Sequence, residues 1–318
     1  MCSEAGRYRR ALSCAVAIAV AVVANSAICA PIDGPQFSGE RAMIWLDRQC
    51  DLGPRDPGSP GHASLKGLIA AQAESLGLRC VSLCFGVDDP YGDGRLEVCN
   101  LVISAGPPGG RRLWVGAHYD TRPRCDRETD PARAKARLPG ANDGASGTAI
   151  LLHLAELLAT ATLPRGVDLI FFDAEDYGLE GDLANYCLGS ARLASTWRDF
   201  GSPLAEGRPE GLILLDMVGK RDLNIPLEGH SLRMAEPWTR AVFERAGELG
   251  LAQFVPVPGP AIIDDHLPFL RAGVPAVDLI DFDYPQWHTL RDTPDACSAA
   301  SLEAVGRLVW DICRRPLS

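Results

Sequence analysis

The chain has 318 residues, 47% of them apolar, enough to bury the core of one large α/β domain or two small ones. Its formal charge of −10 at pH 7 excludes the basic surface that nucleic acid or an anionic membrane requires, and a small or peptide substrate is easier to reconcile with it. No long polar or Pro/Gly-rich linker divides the chain, and no internal repeat or low-complexity segment occurs.

The N-terminus reads as a targeting segment. Arg7, Arg9 and Arg10 form a basic region, Ala11 to Ala24 an apolar one, and Ala24-Asn25-Ser26 or Ala27-Ile28-Cys29 offers small residues for cleavage. About fourteen apolar residues fall short of the roughly 20 that a spanning helix needs, and Ile28 before Cys29 is wrong for a lipoprotein. Residues 1–29 are therefore expected to be a signal peptide, and residues 30–318 a single domain. Loss of Cys2, Cys14 and Cys29 with the leader leaves eight cysteines, an even number in an oxidising compartment. Disulfides or buried free thiols are expected, with a pairing that one sequence does not reveal. A cysteine zinc site is not expected, since the close pair Cys80 and Cys84 has no second pair to complete it.

Helical apolar spacing follows over Gly39 to Cys50 and Ser64 to Leu76, then two strands, Arg79 to Phe85 and Arg95 to Ser104, across a turn-rich stretch. These strands should pair as an edge hairpin. Leu113 to Ala117 reads as a central strand, and the charged stretch from Pro123 to Arg137 as a solvated loop. Gly144 to Leu158 has the pattern of a helix on a sheet, its small first turn allowing close approach to a ligand. Strand and helix then alternate through Val167 to Phe172, Leu188 to Ala194, Leu212 to Leu215, Leu232 to Leu249, Asp264 to Ala272, Ala276 to Ile280 and Ser301 to Ile312. That order predicts an α/β/α sandwich around a mostly parallel sheet, with helices on both faces.

Acids and histidines gather where those strands should end, the edge at which open α/β sheets bind ligands. They are His118 and Asp120, Asp143, Glu175 and Asp176, Asp216, Asp265 and His288. Taken alone, Asp143 could be an N-cap and His288 a core residue among Phe282, Tyr284 and Trp287. The adjacent Glu175 and Asp176 are harder to explain, because two carboxylates at the end of a buried strand repel unless a cation or proton separates their roles. Together the set suits a divalent metal such as zinc, with a neighbouring carboxylate as general base.

The motifs VGAHYDT, GANDGASG, FFDAEDYG, LLDMVG and DDHLPFLRAGVP followed by WHT resemble the M28 family of zinc aminopeptidases, above all its glutaminyl-peptide cyclotransferase (glutaminyl cyclase) branch. The likeness runs from about His118 to the C-terminus. It implies the zinc-aminopeptidase fold, a catalytic zinc on Asp143, Asp176 and His288, and Glu175 as acid/base. It also implies that Asp216 and Asp265 form a carboxylate network beside the reacting amide and that Trp287 walls the glutamine pocket. His118 and Asp216 match the remaining ligands of two-zinc aminopeptidases. Asp176 departs from the Glu of animal cyclases, and the loop Leu179 to Asn185 lacks their pocket tryptophan.

The resemblance implies conversion of N-terminal glutamine of peptides or proteins to pyroglutamate with release of ammonia, using one zinc ion. The competing expectation is an aminopeptidase with two zinc ions, and a third is a catalytically inert binding domain that would have lost a ligand or the proton carrier. The protein is expected to be exported, periplasmic or secreted, monomeric, and free of the membrane after signal cleavage.

Overall fold

The computed structural model describes residues 35–199, 204 and 207–317, so the expected signal peptide at 1–29 lies outside the described residues. Helix α1 (Gly39–Cys50) starts at Ser38, whose side chain accepts from the Arg41 amide. Helix α2 (Pro60–Ser75) starts earlier than its apolar spacing predicts, because Ser59 caps it and Pro60 suits its first turn. Strands β1 (Arg79–Asp88) and β2 (Arg95–Ala105) form the expected edge hairpin, and Cys84 faces Cys99 across it in a disulfide. Cys50, Cys80, Cys125, Cys187, Cys297 and Cys313 are free thiols.

Strand β3 (Arg111–His118), helix α3 (Ala145–Leu158), strand β4 (Gly166–Phe172), helix α4 (Leu188–Thr196) and strand β5 (Arg208–Asp216) continue the alternation. A short strand β6 (Ile225–Leu227) then pairs in parallel with β7 (Phe254–Pro258), a two-stranded sheet too short and irregular to read from sequence. Between them the single helix predicted over Leu232 to Leu249 is two, α5 (Gly229–Met234) and α6 (Glu236–Glu248). Pro237 explains the break, since its ring suits a helix start but cannot continue one. Helix α7 (His266–Arg271), strand β8 (Ala276–Ile280) and helix α8 (Ala299–Arg314) complete the order.

The main sheet runs β1-β2-β4-β3-β5-β8, with β4, β3, β5 and β8 mutually parallel and the hairpin antiparallel. Alternate residues of β3 show the three layers. Leu113, Val115 and Ala117 join the core under α1, α2, α3 and α8, whereas Trp114 packs with Leu193 of α4 and Phe269 of α7. The C-terminal ends of the parallel strands therefore share one edge. β3 ends on His118 and β5 on Asp216, while Glu175 and Asp176 follow β4 by a short turn. Asp265 breaks the pattern, standing at the start of α7 rather than at a strand end.

The small first turn of α3 serves packing. A Cβ at Gly144, whose φ is 98°, would lie 2.4 Å from the Asp120 carbonyl oxygen, and one at Gly147 would lie 2.2 Å from that of Leu215. Glycine lets α3 press its N-terminus onto β3 and β5. Gly147→Ala must push the helix off the sheet and is expected to cost about 1–3 kcal/mol. Urea unfolding measures this; an unchanged midpoint would show that α3 yields freely.

Candidate active site

Asp120 joins the ends of two strands. It is buried; one oxygen accepts the Glu175 amide at 3.1 Å and the other the Asp176 amide at 3.3 Å. Its Oδ1 also lies 3.6 Å from His118 Nδ1. Asp292 does the same for the loop before α3, accepting the Asn142 amide at 2.8 Å, the Asp143 amide at 3.2 Å and the Tyr284 hydroxyl at 2.7 Å. These carboxylates satisfy backbone donors and aim the reactive ones.

The reactive side chains fall into two groups that share Asp143. His288 Nε2 lies 3.5 Å from Asp143 Oδ2 and 3.3 Å from Asp176 Oδ2. His118 Nε2 lies 3.4 Å from Asp143 Oδ1 and 3.1 Å from Asp216 Oδ1. Asp143 Oδ2 and Asp176 Oδ2 are buried without a hydrogen-bond partner, a costly state for a carboxylate. The imidazoles respond to the same surplus of negative charge. Burial works against a charged His288, but Asp176 and Asp126 outweigh it and raise its pKa to about 9. Burial is likewise outweighed at His118, where Asp120, Asp143 and Asp216 push the pKa well above the ordinary value. Oxygen and imidazole donors with unsatisfied lone pairs and a demand for positive charge fit a zinc ion.

The loop expected to be solvated contributes to this site. Asp126 Oδ1 lies 3.1 Å from His288 Nδ1, and its other oxygen accepts from Arg122 Nε at 2.9 Å and Nη2 at 2.6 Å. Arg122 is buried and also donates through Nη1 to Asp176 Oδ1. Burial raises the Asp176 pKa, but His288 and Arg122 outweigh it and hold the carboxyl below its usual range. One Arg–Asp pair thus braces both His288 and Asp176 from behind. Local charge patterning conceals this, because the histidine is 162 residues from Asp126.

Glu175 stands beside these groups in a cavity of about 380 Å³, lined also by Asp143, Asp176, Asp216, Met217, Asp264, Trp287 and His288. Burial, then the Asp176 and Asp264 charges, push its carboxyl well above the usual carboxylate range. Cys187 Sγ donates to Glu175 Oε1 at 3.4 Å. Trp287 lines the wall with its ring stacked on that of His288, centroids 3.8 Å apart. Of the paired acids at α7, Asp264 reaches the cavity, whereas Asp265 is fully buried and absent from its lining. Asp264 therefore occupies the place expected of Asp265; sequence spacing does not tell two adjacent carboxylates apart.

Backbone strain is concentrated here. Among the described residues, the non-glycine residues with positive φ are Ala174 at 53°, Cys187 at 55°, Met217 at 46° and His288 at 54°. Ala174 precedes Glu175, Met217 follows Asp216, Cys187 touches Glu175 and His288 is itself a donor. Left-handed backbone at such residues costs on the order of 1 kcal/mol or more and persists where the surroundings dictate it.

Strand-end carboxylates and histidines on an α/β/α sandwich, with a buried acid among them, define a metal-dependent enzyme of the zinc-exopeptidase type. The chain belongs to peptidase family M28, whose model matches residues 100–313. It is 29% identical to the glutaminyl-peptide cyclotransferase-like protein of Bos taurus over 264 residues, which is 75% of this chain and 66% of that protein. Porphyromonas gingivalis glutaminyl cyclase superposes with a TM-score of 0.81 at 33% identity, covering 87% of this chain and 98% of that one. A leucine aminopeptidase precursor from Bacteroides thetaiotaomicron superposes with a TM-score of 0.83 at 31% identity, covering 88% and 98%.

Asp126→Asn removes the charge behind His288 with little change of shape. Zinc affinity, measured by competition with a chelator, is expected to fall about 10–100-fold. Unaltered affinity would show that His288 needs no such brace.

Proposed function

We propose that this protein is a zinc-dependent glutaminyl-peptide cyclotransferase acting on peptides or proteins with N-terminal glutamine. The observation that carries this reading is the company of Glu175. A buried carboxyl with a raised pKa shares one cavity with Asp264, Trp287 and the Asp143, Asp176 and His288 donors. The cyclase names of relatives and structural neighbours support it.

The reaction closes a five-membered ring within one substrate. The α-amine attacks the γ-amide carbon, a C–N bond forms, and the bond to the amide nitrogen breaks with loss of ammonia. A zinc ion held by Asp143, Asp176 and His288 would supply Lewis acidity at the amide carbonyl. Glu175 takes the proton that the α-amine loses and returns it to the departing nitrogen. Its raised pKa suits both halves of that task, since a carboxyl of ordinary acidity is a poor proton donor near neutrality. Asp264 shares the buried space and raises the Glu175 pKa further. Trp287, fixed against His288, gives the glutamine side chain an apolar wall that excludes water. Nucleophile and electrophile arrive together, so the site has mainly to fold the side chain back onto the amine.

Hydrolysis of N-terminal residues is the second reading. It is favoured by His118 and Asp216, which with Asp143 Oδ1 form a complete second donor set. One zinc ion is proposed for the cyclase and two for the peptidase. Residues 1–29 are proposed to export the protein, leaving residues 30–318 as one monomeric catalytic domain in the periplasm or outside the cell. Among the described residues no helix is long and apolar enough to cross a membrane.

A glutamine-initiated dipeptide and an aminoacyl-arylamide, offered separately to the zinc-loaded protein, distinguish the readings. Ammonia and pyroglutamate are expected from the first; release of arylamine without ammonia would sink the cyclase. Glu175→Gln should lower kcat by at least about 100-fold while zinc stays bound. Near-normal turnover in that variant would remove Glu175 from the mechanism.

A further inference from the structure

The cavity does not stop at the reacting groups. Among the described residues seven large apolar side chains are exposed, and three of them, Leu183, Ile263 and Phe282, line this one cavity. Their exposures are 59%, 42% and 37%. Leu179, 42% exposed, belongs to the same loop as Leu183 and adjoins Glu180, another lining residue. Single exposed apolar residues are ordinary on a protein surface, but several around one concave site mark a place where a ligand covers them. They come from separate stretches of chain, after β4, before α7 and after β8, so no local apolar run accounts for them.

The charges at the mouth leave the rim chemically one-sided. Glu180 is the one exposed charged residue lining the cavity among those described. It pairs with Arg127 at 3.2 Å, and the Arg127 guanidinium lies 4.8 Å from the Trp287 ring centroid. An acidic or basic substrate side chain would therefore meet apolar surface and a charge pair already closed. An apolar one would cover Leu183, Ile263 and Phe282 and release their water.

We infer that this rim is a subsite for the residues following the N-terminal glutamine, and that it selects peptides with a large apolar side chain there. The inference rests on the cyclase reading, because the glutamine must occupy the inner end beside Glu175 for the next residue to reach the rim. Leu183 lies in the loop that lacks the pocket tryptophan of animal cyclases, and with Ile263 it gives the mouth an aliphatic surface.

The test is a series of glutamine-initiated dipeptide amides with Leu, Phe, Ser, Asp or Lys in second place, assayed by ammonia release from the zinc-loaded protein. kcat/KM is expected to be about tenfold higher for Leu and Phe than for Ser and Asp. Leu183→Ser combined with Ile263→Ser should compress that ratio to below about two, and Phe282→Ser should reduce it separately. All three positions are exposed, and the ranking in the unaltered protein needs no variant at all. Equal turnover of the whole series, or a ranking that survives both variants, would overturn the subsite alone. Ammonia from none of the peptides would overturn the cyclase reading and the subsite with it.

Discussion

A surplus of carboxylate in a place without enough water governs this molecule. Asp120, Asp143, Asp176 and Asp292 are buried near one end of a parallel sheet, with Glu175 and Asp264 beside them. Like charges at that depth lose solvation and repel, so the arrangement stands only where donors or cations answer it. Backbone amides answer for Asp120 and Asp292. Arg122 answers for Asp126 and one oxygen of Asp176. Among the oxygens left unpaired, Asp143 Oδ2 and Asp176 Oδ2 both face His288 Nε2, and Asp264 Oδ2 is another. The two oxygens facing His288 are the part of the acid cluster that a cation would satisfy.

The rest of the structure keeps those oxygens where they are. Gly144 and Gly147 bring the start of α3 against the backbone of β3 and β5, holding the loop that carries Asp143 close to His118. Positive φ values at Ala174, Met217 and His288 turn the chain at the points where side chains must enter the cavity. Such strain is tolerable because β3, β4 and β5 behind it are paired on both sides, and a rigid sheet can support irregular loops at its edge. The Cys84–Cys99 bridge stiffens the hairpin next to β4, at the opposite border of the sheet from β8.

The fold was largely legible because its signals are local. Apolar runs such as Leu113 to Ala117 and Leu212 to Leu215 and the helical spacing of Ala149 to Leu158 each show within a short window. Short windows mislead at two places. Pro237 divides a continuous apolar pattern, and the β6–β7 pair is too short to show alternation. Residues able to hold a metal are named by the motifs, and His118, Asp143, Asp176, Asp216 and His288 lie in two groups that share Asp143. Their supports are not so named. Asp126 sits in the charged stretch expected to be solvated, with Arg122 just before it, and nothing local singles out Asp292, whose two amide donors lie 150 and 149 residues away. Asp264 and Asp265 are adjacent and chemically alike, and the turn into α7 alone decides which one reaches the cavity.

Asp143 also frames the question of one metal or two as a matter of charge. Its oxygens face opposite ways, Oδ1 to His118 and Oδ2 to His288, so a cation on either side draws on the same carboxylate. On the His118 side, Asp216 and Asp143 both lie within reach of Nε2, and the imidazole is held well above its ordinary pKa against the penalty of burial. On the His288 side Arg122 and Asp126 take up one oxygen of Asp176 and one nitrogen of the imidazole, leaving the inner atoms of both free. Each imidazole has a carboxylate behind it, Asp126 for His288 and Asp120 for His118, and of the two Asp126 is the one paired with an arginine. The acids around them push both imidazoles towards the charged form, so a cation on either side would compete with a proton as well as share Asp143. The donors thus form two sets joined by one carboxylate, and their supports differ: an arginine-paired acid stands behind His288 and the amide-bound Asp120 behind His118.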